Sequence, residues 1–261
     1  YYLFRTVGTV SHPSNNALTA TNGTLTGTLD VTGDATFDTS TLKVDSSNNR
    51  VGVGTATPLK PLHIQGSSEA DIFLRRTDLT NKAWLFNVQS STGDLNIKSR
   101  NDDASASSTS MIIHHDGYVT KPNQPAFLAQ PASTINNLST GANNGLVFGT
   151  ERFDQNADYN ATNGVFTAPV TGKYMFNVTF YLNNIDQAAN YYEPRLDTSN
   201  RSYYINFDPD FGQDNSYFTL TFAHLVDMDE NDTADINIHQ DGGSSQTDIS
   251  AASMFSMYLV C

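Results

Sequence analysis

The sequence has little cysteine and no long apolar run. Its one cysteine, Cys261, excludes a disulfide within the chain and leaves no thiolate cluster for zinc. This count neither proves nor excludes an extracellular location. No apolar run approaches the roughly 20 residues that a helix needs to span a bilayer. We therefore expect no insertion into a membrane.

Basic residues and glutamate are also scarce. The chain has 14 Lys and Arg against 27 Asp and Glu, a formal net charge of −13, and no basic residue follows Arg201. Nucleic acid and anionic membrane would repel such a surface, so we expect no nucleic-acid partner. Aspartate favours turns whereas glutamate favours helices, and the abundant Ser, Thr and Asn also disfavour helices. The chain is therefore predicted to be all-β. Only four acidic residues are glutamates: Glu69, Glu151, Glu193 and Glu230.

Residues 1–44 contain a short repeat that is typical of a fibre. Residues 27–32 read GTLDVT and residues 33–38 read GDATFD, so apolar side chains alternate with Thr or Asp. A segment this short cannot bury its own apolar residues, because stable repeat arrays need at least three units. We therefore predict a trimeric β-stalk, and a disordered linker is the alternative. The stalk would bury Leu25, Leu29, Val31, Ala35 and Phe37 against symmetry mates.

Residues 45–122 form a predicted middle segment of short strands and polar turns. It begins with Val51-Gly52-Val53-Gly54-Thr55, followed by Pro58 and Leu62-His63-Ile64. This spacing resembles the VGIGT-x-x-P…L-x-V motif of phage tail fibres and related trimeric adhesins, which implies a fibre without naming its target. Further strands are predicted at residues 72–74, 83–88, 95–98 and 111–114, with Trp84 in the core. The prolines of residues 121–125 mark the next boundary.

Residues 123–261 form the predicted head, where the alternation of apolar residues is strongest. Several such strands at short intervals, separated by polar turns, predict a sandwich or jelly roll. One face of the first strong strand is predicted to carry Tyr174, Phe176, Val178, Phe180 and Leu182. One face of the second is predicted to carry Phe218, Leu220, Phe222, His224 and Val226, and the last strand alternates through Phe255, Met257 and Leu259.

The spacing of aromatic residues in the head carries a second resemblance. The pattern runs through Phe148, Asp154, Tyr159, Phe166, Gly172, Tyr174 and Phe176. It resembles the signature of the C1q and tumour-necrosis-factor-like family, with Val178 where the family has a last aromatic. The resemblance implies a C1q-like jelly roll that assembles as a homotrimer. Gly172 is expected to allow a tight turn before the central strand, and Asn231-Asp232 stands where the family often has a Gly-Asp turn.

An aspartate-rich loop is a candidate calcium site. Asp208, Asp210 and Asp214 are spaced around Gly212, and calcium prefers such oxygen-rich loops. C1q-like heads sometimes bind calcium, so the resemblance agrees with this interpretation. The loop lacks the distal glutamate and the flanking helices of an EF-hand. An ordinary solvated turn is the alternative, and no other cofactor is expected.

Aromatic residues in or beside loops of the head are candidate receptor-binding residues. Aromatic faces stack on sugar rings, and amphipathic aromatic side chains are common where proteins bind each other. The alternative is packing inside the sandwich or at the trimer interface. The candidates are Tyr191, Tyr192, Tyr203, Tyr204, Phe207 and Phe211.

These observations favour a binding protein over an enzyme. The sequence shows no phosphate-binding loop, no nucleophile elbow and no cysteine–histidine pair for catalysis. We predict a trimeric fibre on a virion surface, such as a phage tail fibre. Its head would bind a host-surface glycan or protein, and its N-terminal side would join other virion proteins. The alternatives are a structural appendage, such as a decoration fibre or bacterial filament, and an extracellular adhesin at a cell surface.

Overall fold

The computed structural model describes residues 30–38 and 40–261, and every regular element in these ranges is a β-strand. The all-β prediction is confirmed. Within the same ranges, no helix has the length and apolarity to cross a membrane. The chain divides into two compact units, residues 1–67 and residues 68–261. The three segments proposed from the sequence stay predictions.

The first unit contains a four-stranded sheet. Its strands are β1 (Ala35–Phe37), β2 (Leu42–Asp45), β3 (Arg50–Val53) and β4 (Leu62–Ile64), in the order β1-β2-β3-β4. The predicted limit between residues 44 and 45 falls inside β2. Strands β3 and β4 are parallel, so the eight residues between them must cross back along the sheet. Gly54 permits this path, because its φ is +77° and a Cβ there would lie 2.1 Å from the Gln65 carbonyl oxygen.

The predicted stalk falls mostly outside the described residues. Leu25 and Leu29 lie in the undescribed part of the chain. Val31 and Phe37 are exposed, and Ala35 is half-buried in β1. The trimeric stalk therefore stays a prediction.

The second unit begins with a five-stranded antiparallel sheet, which we call the middle sheet. Its strands are β5 (Ala70–Leu74), β6 (Ala83–Val88), β7 (Leu95–Arg100), β8 (Ser107–Ile113) and β9 (Val119–Thr120), in chain order. The core position predicted for Trp84 is wrong, since its side chain is 45% exposed. Ala83 and Leu85 are buried instead, because neighbouring residues of a strand point to opposite faces.

Two six-stranded sheets build the head. In the first sheet, β12 (Thr150–Asp154), β10 (Ala126–Gln130), β21 (Met254–Leu259), β15 (Gly172–Ile185) and β18 (Asn215–Met228) follow in this order, and β20 (Asp248–Ile249) pairs with β15. In the second sheet the order is β13 (Tyr159–Asn160), β14 (Val165–Thr167), β19 (Thr233–Gly242), β16 (Ala189–Thr198) and β17 (Ser202–Tyr204), and β11 (Asn143–Leu146) pairs with β19. This crossed strand order is that of a jelly roll.

The inner faces of the two head sheets share one aromatic core. Phe166 of the second sheet lies 5.8 Å from Phe176 of the first, and Phe127 stacks on Tyr159 with ring centroids 4.4 Å apart. The predicted inward face of β15 is confirmed by complete burial of its apolar residues. Burial of each such side chain stabilises the fold by ~1.5–3 kcal/mol. The signature aromatics are therefore the side chains that fill the space between the sheets.

Gly172 has a different role from the predicted one. It begins β15 without a positive φ, so no tight turn depends on it. A Cβ at this position would lie 2.7 Å from the Cys261 carbonyl oxygen and 2.9 Å from the Leu259 side chain. Glycine is needed here because β21 approaches closely. The predicted turn at Asn231 is confirmed by its φ of +74° and a bond from Asp232 N–H to the Asp229 carbonyl.

Candidate functional site

The outward face of the second head sheet, which we call the polar face, gathers charged, amide and aromatic side chains. Residues of β16 alternate, so Tyr192, Pro194 and Leu196 point into the core and the residues between them point outward. The strand register places Glu193 beside His239 and Arg195 beside both Asn237 and Tyr204. The polar face consists of Tyr191, Glu193, Arg195, Asp197, Tyr204, Asn237 and His239.

Arg195 lies at the centre of the polar face and is held on both sides. Its guanidinium donates to Glu193 Oε1 at 2.9 Å and to Asp197 Oδ1 at 3.1 Å. Although burial lowers the pKa of Arg195, the bonds and charges of Asp197 and Glu193 raise it above its ordinary value. Asn237 Nδ2 donates to the other oxygen of Asp197 at 2.9 Å. The network holds these polar groups in place on the outward face of the sheet.

Aromatic rings lie on either side of this network. The Tyr191 ring stacks on His239 with centroids 5.8 Å apart, and the Arg195 guanidinium lies 5.9 Å from the centre of the Tyr204 ring. On β11, Gly145 pairs with Asn237 and has no side chain to cover it. Fixed planar donors and acceptors beside the half-buried Tyr191 ring and the exposed Tyr204 ring can bind hydroxyl-rich or peptide ligands. The arrangement therefore provides a surface for recognition.

A carboxyl pair lies at one end of the polar face. Asp235 of β19 is directly opposite Asp197 of β16. Burial raises the pKa of Asp235 above its ordinary value, and the charge of Asp197 raises this pKa further. Like charges facing each other across a sheet are destabilising. This end of the polar face therefore carries a stability cost when both groups are ionised.

The six predicted receptor-binding aromatics divide between surface and core. Tyr191 and Tyr204 lie on the polar face, and Phe211 is exposed in the loop after β17. Tyr192 is fully buried, with its hydroxyl 2.6 Å from Thr247 Oγ1, so it is a core residue. Phe207 is half-buried and stacks on Tyr192. Tyr203 is also half-buried.

The structure does not bring the predicted calcium ligands together. Asp208 accepts a bond from the backbone N–H of Asp210 at 3.0 Å. Asp214 instead accepts from the backbone of Gln187 and the side chain of Gln246. Among the described residues, no group of three or more Asp, Glu, His or Cys side chains is arranged to hold a metal ion. The calcium site therefore lacks geometric support in this loop.

The outward face of the first head sheet carries a group of apolar side chains, which we call the head apolar face, among polar neighbours such as Lys173, Asn177 and Thr179. The register places Met175 between Leu225 and Tyr258, and it pairs Leu128 with Phe153. Leu225 is 55% exposed and Phe153 is 51% exposed. Such a patch on a protein surface marks an association site. The head apolar face consists of Leu128, Phe153, Met175, Leu225, Met254 and Tyr258.

Sequence reasoning missed the polar members of the polar face. Glu193, Arg195 and Asp197 alternate with apolar residues in β16, and this period of two was a usable signal. Asn237 and His239 alternate in the same way in β19. The pairing of these two strands, however, joins residues about 40 positions apart and is not visible in the sequence.

Comparison with known proteins agrees with the jelly roll. The profile of the C1q domain matches residues 126–260. The globular domain of zebrafish complement 1qA is 18% identical over 53% of this chain and 98% of that domain, with a TM-score of 0.40. Murine APRIL is 8% identical over 52% of this chain and 99% of its own, with a TM-score of 0.39. No curated protein matches the chain. Because the matched profile spans half of the sequence, the chain belongs to the C1q domain family.

Proposed function

We propose that the protein is a homotrimeric fibre subunit of a virion surface, such as a phage tail fibre, whose C1q head attaches to a host-cell glycan or protein. Its role is binding and not catalysis. The N-terminal side of the chain would connect the head to other virion proteins. The observation that carries the proposal is the contrast between the two head sheets, since one exposes a group of apolar side chains and the other exposes a network of polar and aromatic ones.

The head apolar face supports the homotrimer. Its residues lie on five neighbouring strands, with Leu225, Met175 and Tyr258 in one row. Exposure of such rows costs ~25 cal/mol per Å² of apolar surface, and packing against further copies of the chain recovers this free energy. Members of the tumour-necrosis-factor-like group are trimers, and the sequence motif of residues 51–64 resembles trimeric fibres. Both resemblances support three copies.

The polar face supports target binding, because it stays free when the other sheet is buried in a trimer. Three copies would present three polar faces, and simultaneous contacts would multiply weak affinities. Tyrosine and arginine are the residue types that most often dominate binding energy at interfaces. Tyr191, Arg195 and Tyr204 are therefore the residues proposed to contact the target.

Adsorption of the intact chain to host cells and to a glycan array tests the proposal. Tyr204→Ala and Tyr191→Ala are expected to weaken binding about tenfold or more each, since truncation of a central contact costs ~2 kcal/mol. Tyr118→Ala is the matched control, because this tyrosine of the middle sheet is 57% exposed and Tyr204 is 54% exposed. Equal losses for all three variants would remove the polar face from the account. A trimer without affinity for any host surface would favour the structural appendage.

A further inference from the structure

One face of the middle sheet is largely apolar, although its row of Leu74 and Trp84 continues through Ser99 and Ser108. Register places Ile72, Phe86, Ile97 and Met111 in one row across four strands. One flanking row contains Leu74 and Trp84. The other flanking row contains Val88, Leu95, Ile113 and Val119. We call these ten residues the middle apolar face. None of them is charged, and Leu74, Trp84 and Val119 are each about half exposed.

The opposite face of the same sheet already has its partners. Asn87 is buried and donates to Asp71 at 2.6 Å, and Lys98 Nζ donates to Asn87 Oδ1 at 2.9 Å. Ala83 and Leu85 are buried on that face as well. This face thus combines buried polar and aliphatic side chains with the exposed Phe73, and the other face is the more apolar one. A sheet that folded for solvent on this side would show the reverse pattern.

The middle apolar face continues into the head apolar face. Val119 of β9 and Tyr258 of β21 line the same cleft, of about 480 Å³, together with Pro125 and Ala126. Tyr258 belongs to the rows proposed to pack in the homotrimer, and only five residues separate β9 from β10. The two surfaces therefore meet at this cleft, which is also lined by Thr120, Lys121, Gln124 and Gln155, and a neighbouring molecule seated on one surface also reaches the other.

We propose that the middle apolar face packs against the same face of two further copies of this chain and forms a second trimerisation surface. This inference rests on the homotrimer of the proposed function and extends it from the head to the middle sheet. A copy of the chain is the favoured occupant because the middle apolar face adjoins the head apolar face, where Val119 and Tyr258 line one cleft. The net charge of −13 would oppose association elsewhere, but this face carries no charge.

Trp84 provides an intrinsic reporter of the proposed contact, because it is the only tryptophan of the chain and lies on this face. In the intact trimer we expect blue-shifted emission and an acrylamide quenching constant several-fold lower than that of free tryptophan. Dilution that dissociates the trimer should restore full quenching. If the chain has the mass of a trimer but Trp84 is quenched as freely as free tryptophan, this inference is wrong and the proposed head trimer is unaffected. If Trp84 is protected from quenching while the chain has the mass of a monomer, the inference is also wrong, because other residues of the same chain would then bury Trp84.

A pair of neighbouring substitutions sharpens the test. Leu74→Lys places a charge beside Trp84 on the middle apolar face, whereas Phe73→Lys places it on the opposite face of the same strand. Leu74→Lys is expected to raise the quenching of Trp84 several-fold and to weaken the trimer, and Phe73→Lys is expected to do neither. Equal behaviour of the two variants would contradict the inference. A wild-type chain that shows no association at any concentration would defeat the proposed homotrimer itself.

Discussion

Both the backbone conformation and the packing at position 243 require glycine. Its φ is +71°, and a Cβ would lie 2.6 Å from Asp186 Oδ2 and 2.8 Å from the Ala189 nitrogen. The buried Asp186 carboxylate accepts bonds from the backbone N–H groups of Ser244 and Ala188. A larger residue at position 243 would therefore push apart the loop that joins β15 to β16 and the loop after β19.

Gly243→Ala should destabilise the head by ~1–3 kcal/mol through strain and displacement of these loops. Gly212→Ala is the matched control, because Gly212 has a φ of +78° with open space around it and shares only the backbone penalty. Denaturant unfolding followed by circular dichroism measures both changes. If the free energy of unfolding falls by the same amount in both variants, the close approach at Asp186 does not contribute to stability.

The fate of neighbouring tyrosines shows where sequence reasoning ends at the scale of residues. Tyr191 and Tyr192 look alike in the sequence, yet one lies on the polar face and the other in the core. The aromatic signature correctly located the buried Phe148, Tyr159 and Phe166. It carried no information on β16, because the choice of inward face depends on which side of that strand meets β15 and β21.

At the scale of elements, the pairing of β16 with β19 sets two carboxyl groups against each other. Asp235 faces Asp197. Burial raises the pKa of Asp235, and the charge of Asp197 adds to this increase. A raised folded-state pKa contributes stability below the ordinary aspartate pKa of 3.8, and this contribution is lost as pH rises through the folded-state pKa. Ionisation of Asp235 at neutral pH therefore weakens the pairing of β16 with β19.

Asp235→Asn should raise the melting temperature at pH 7, because the amide removes the repulsion and the cost of a buried charge. The gain should shrink as pH falls and vanish below about pH 4, where the carboxyl is protonated in both states. Asp241→Asn on the same strand is the control, since Asp241 faces Tyr191 and no second carboxylate. A pH-independent gain for Asp235→Asn would show that electrostatics is not the cause.

Strand identity was predictable from the sequence, whereas the covered face was predictable only in the head. Alternation located β15 and β21 together with their inward sides. The same alternation located β6 but placed Trp84 in the core, although its other face is the buried one. Both faces of β6 contain apolar residues, so periodicity alone could not decide between them. Which face of a strand is buried depends on the elements that pack against it, and the sequence of the strand itself does not contain this information.

At the scale of the whole molecule, three sheets follow residue 68 along the chain. The middle sheet and the first head sheet expose groups of apolar side chains, and the polar face lies on the second head sheet. The sequence predicted a homotrimer from the short repeat before residue 45, which lies largely outside the described residues. The homotrimer proposed above rests on different residues, since Leu225, Met175 and Tyr258 lie side by side on the outward face of the first head sheet. Their adjacency depends on strand register, which no local pattern reveals.

Sedimentation equilibrium of the intact chain tests the central claim most directly. The account predicts a single folded species of three times the 28.5 kDa subunit mass across the working concentration range. Association should persist at high salt, because apolar contacts and not ion pairs hold the copies together. A folded species that stays at 28.5 kDa at all concentrations, with its apolar rows in water, would contradict the trimeric fibre.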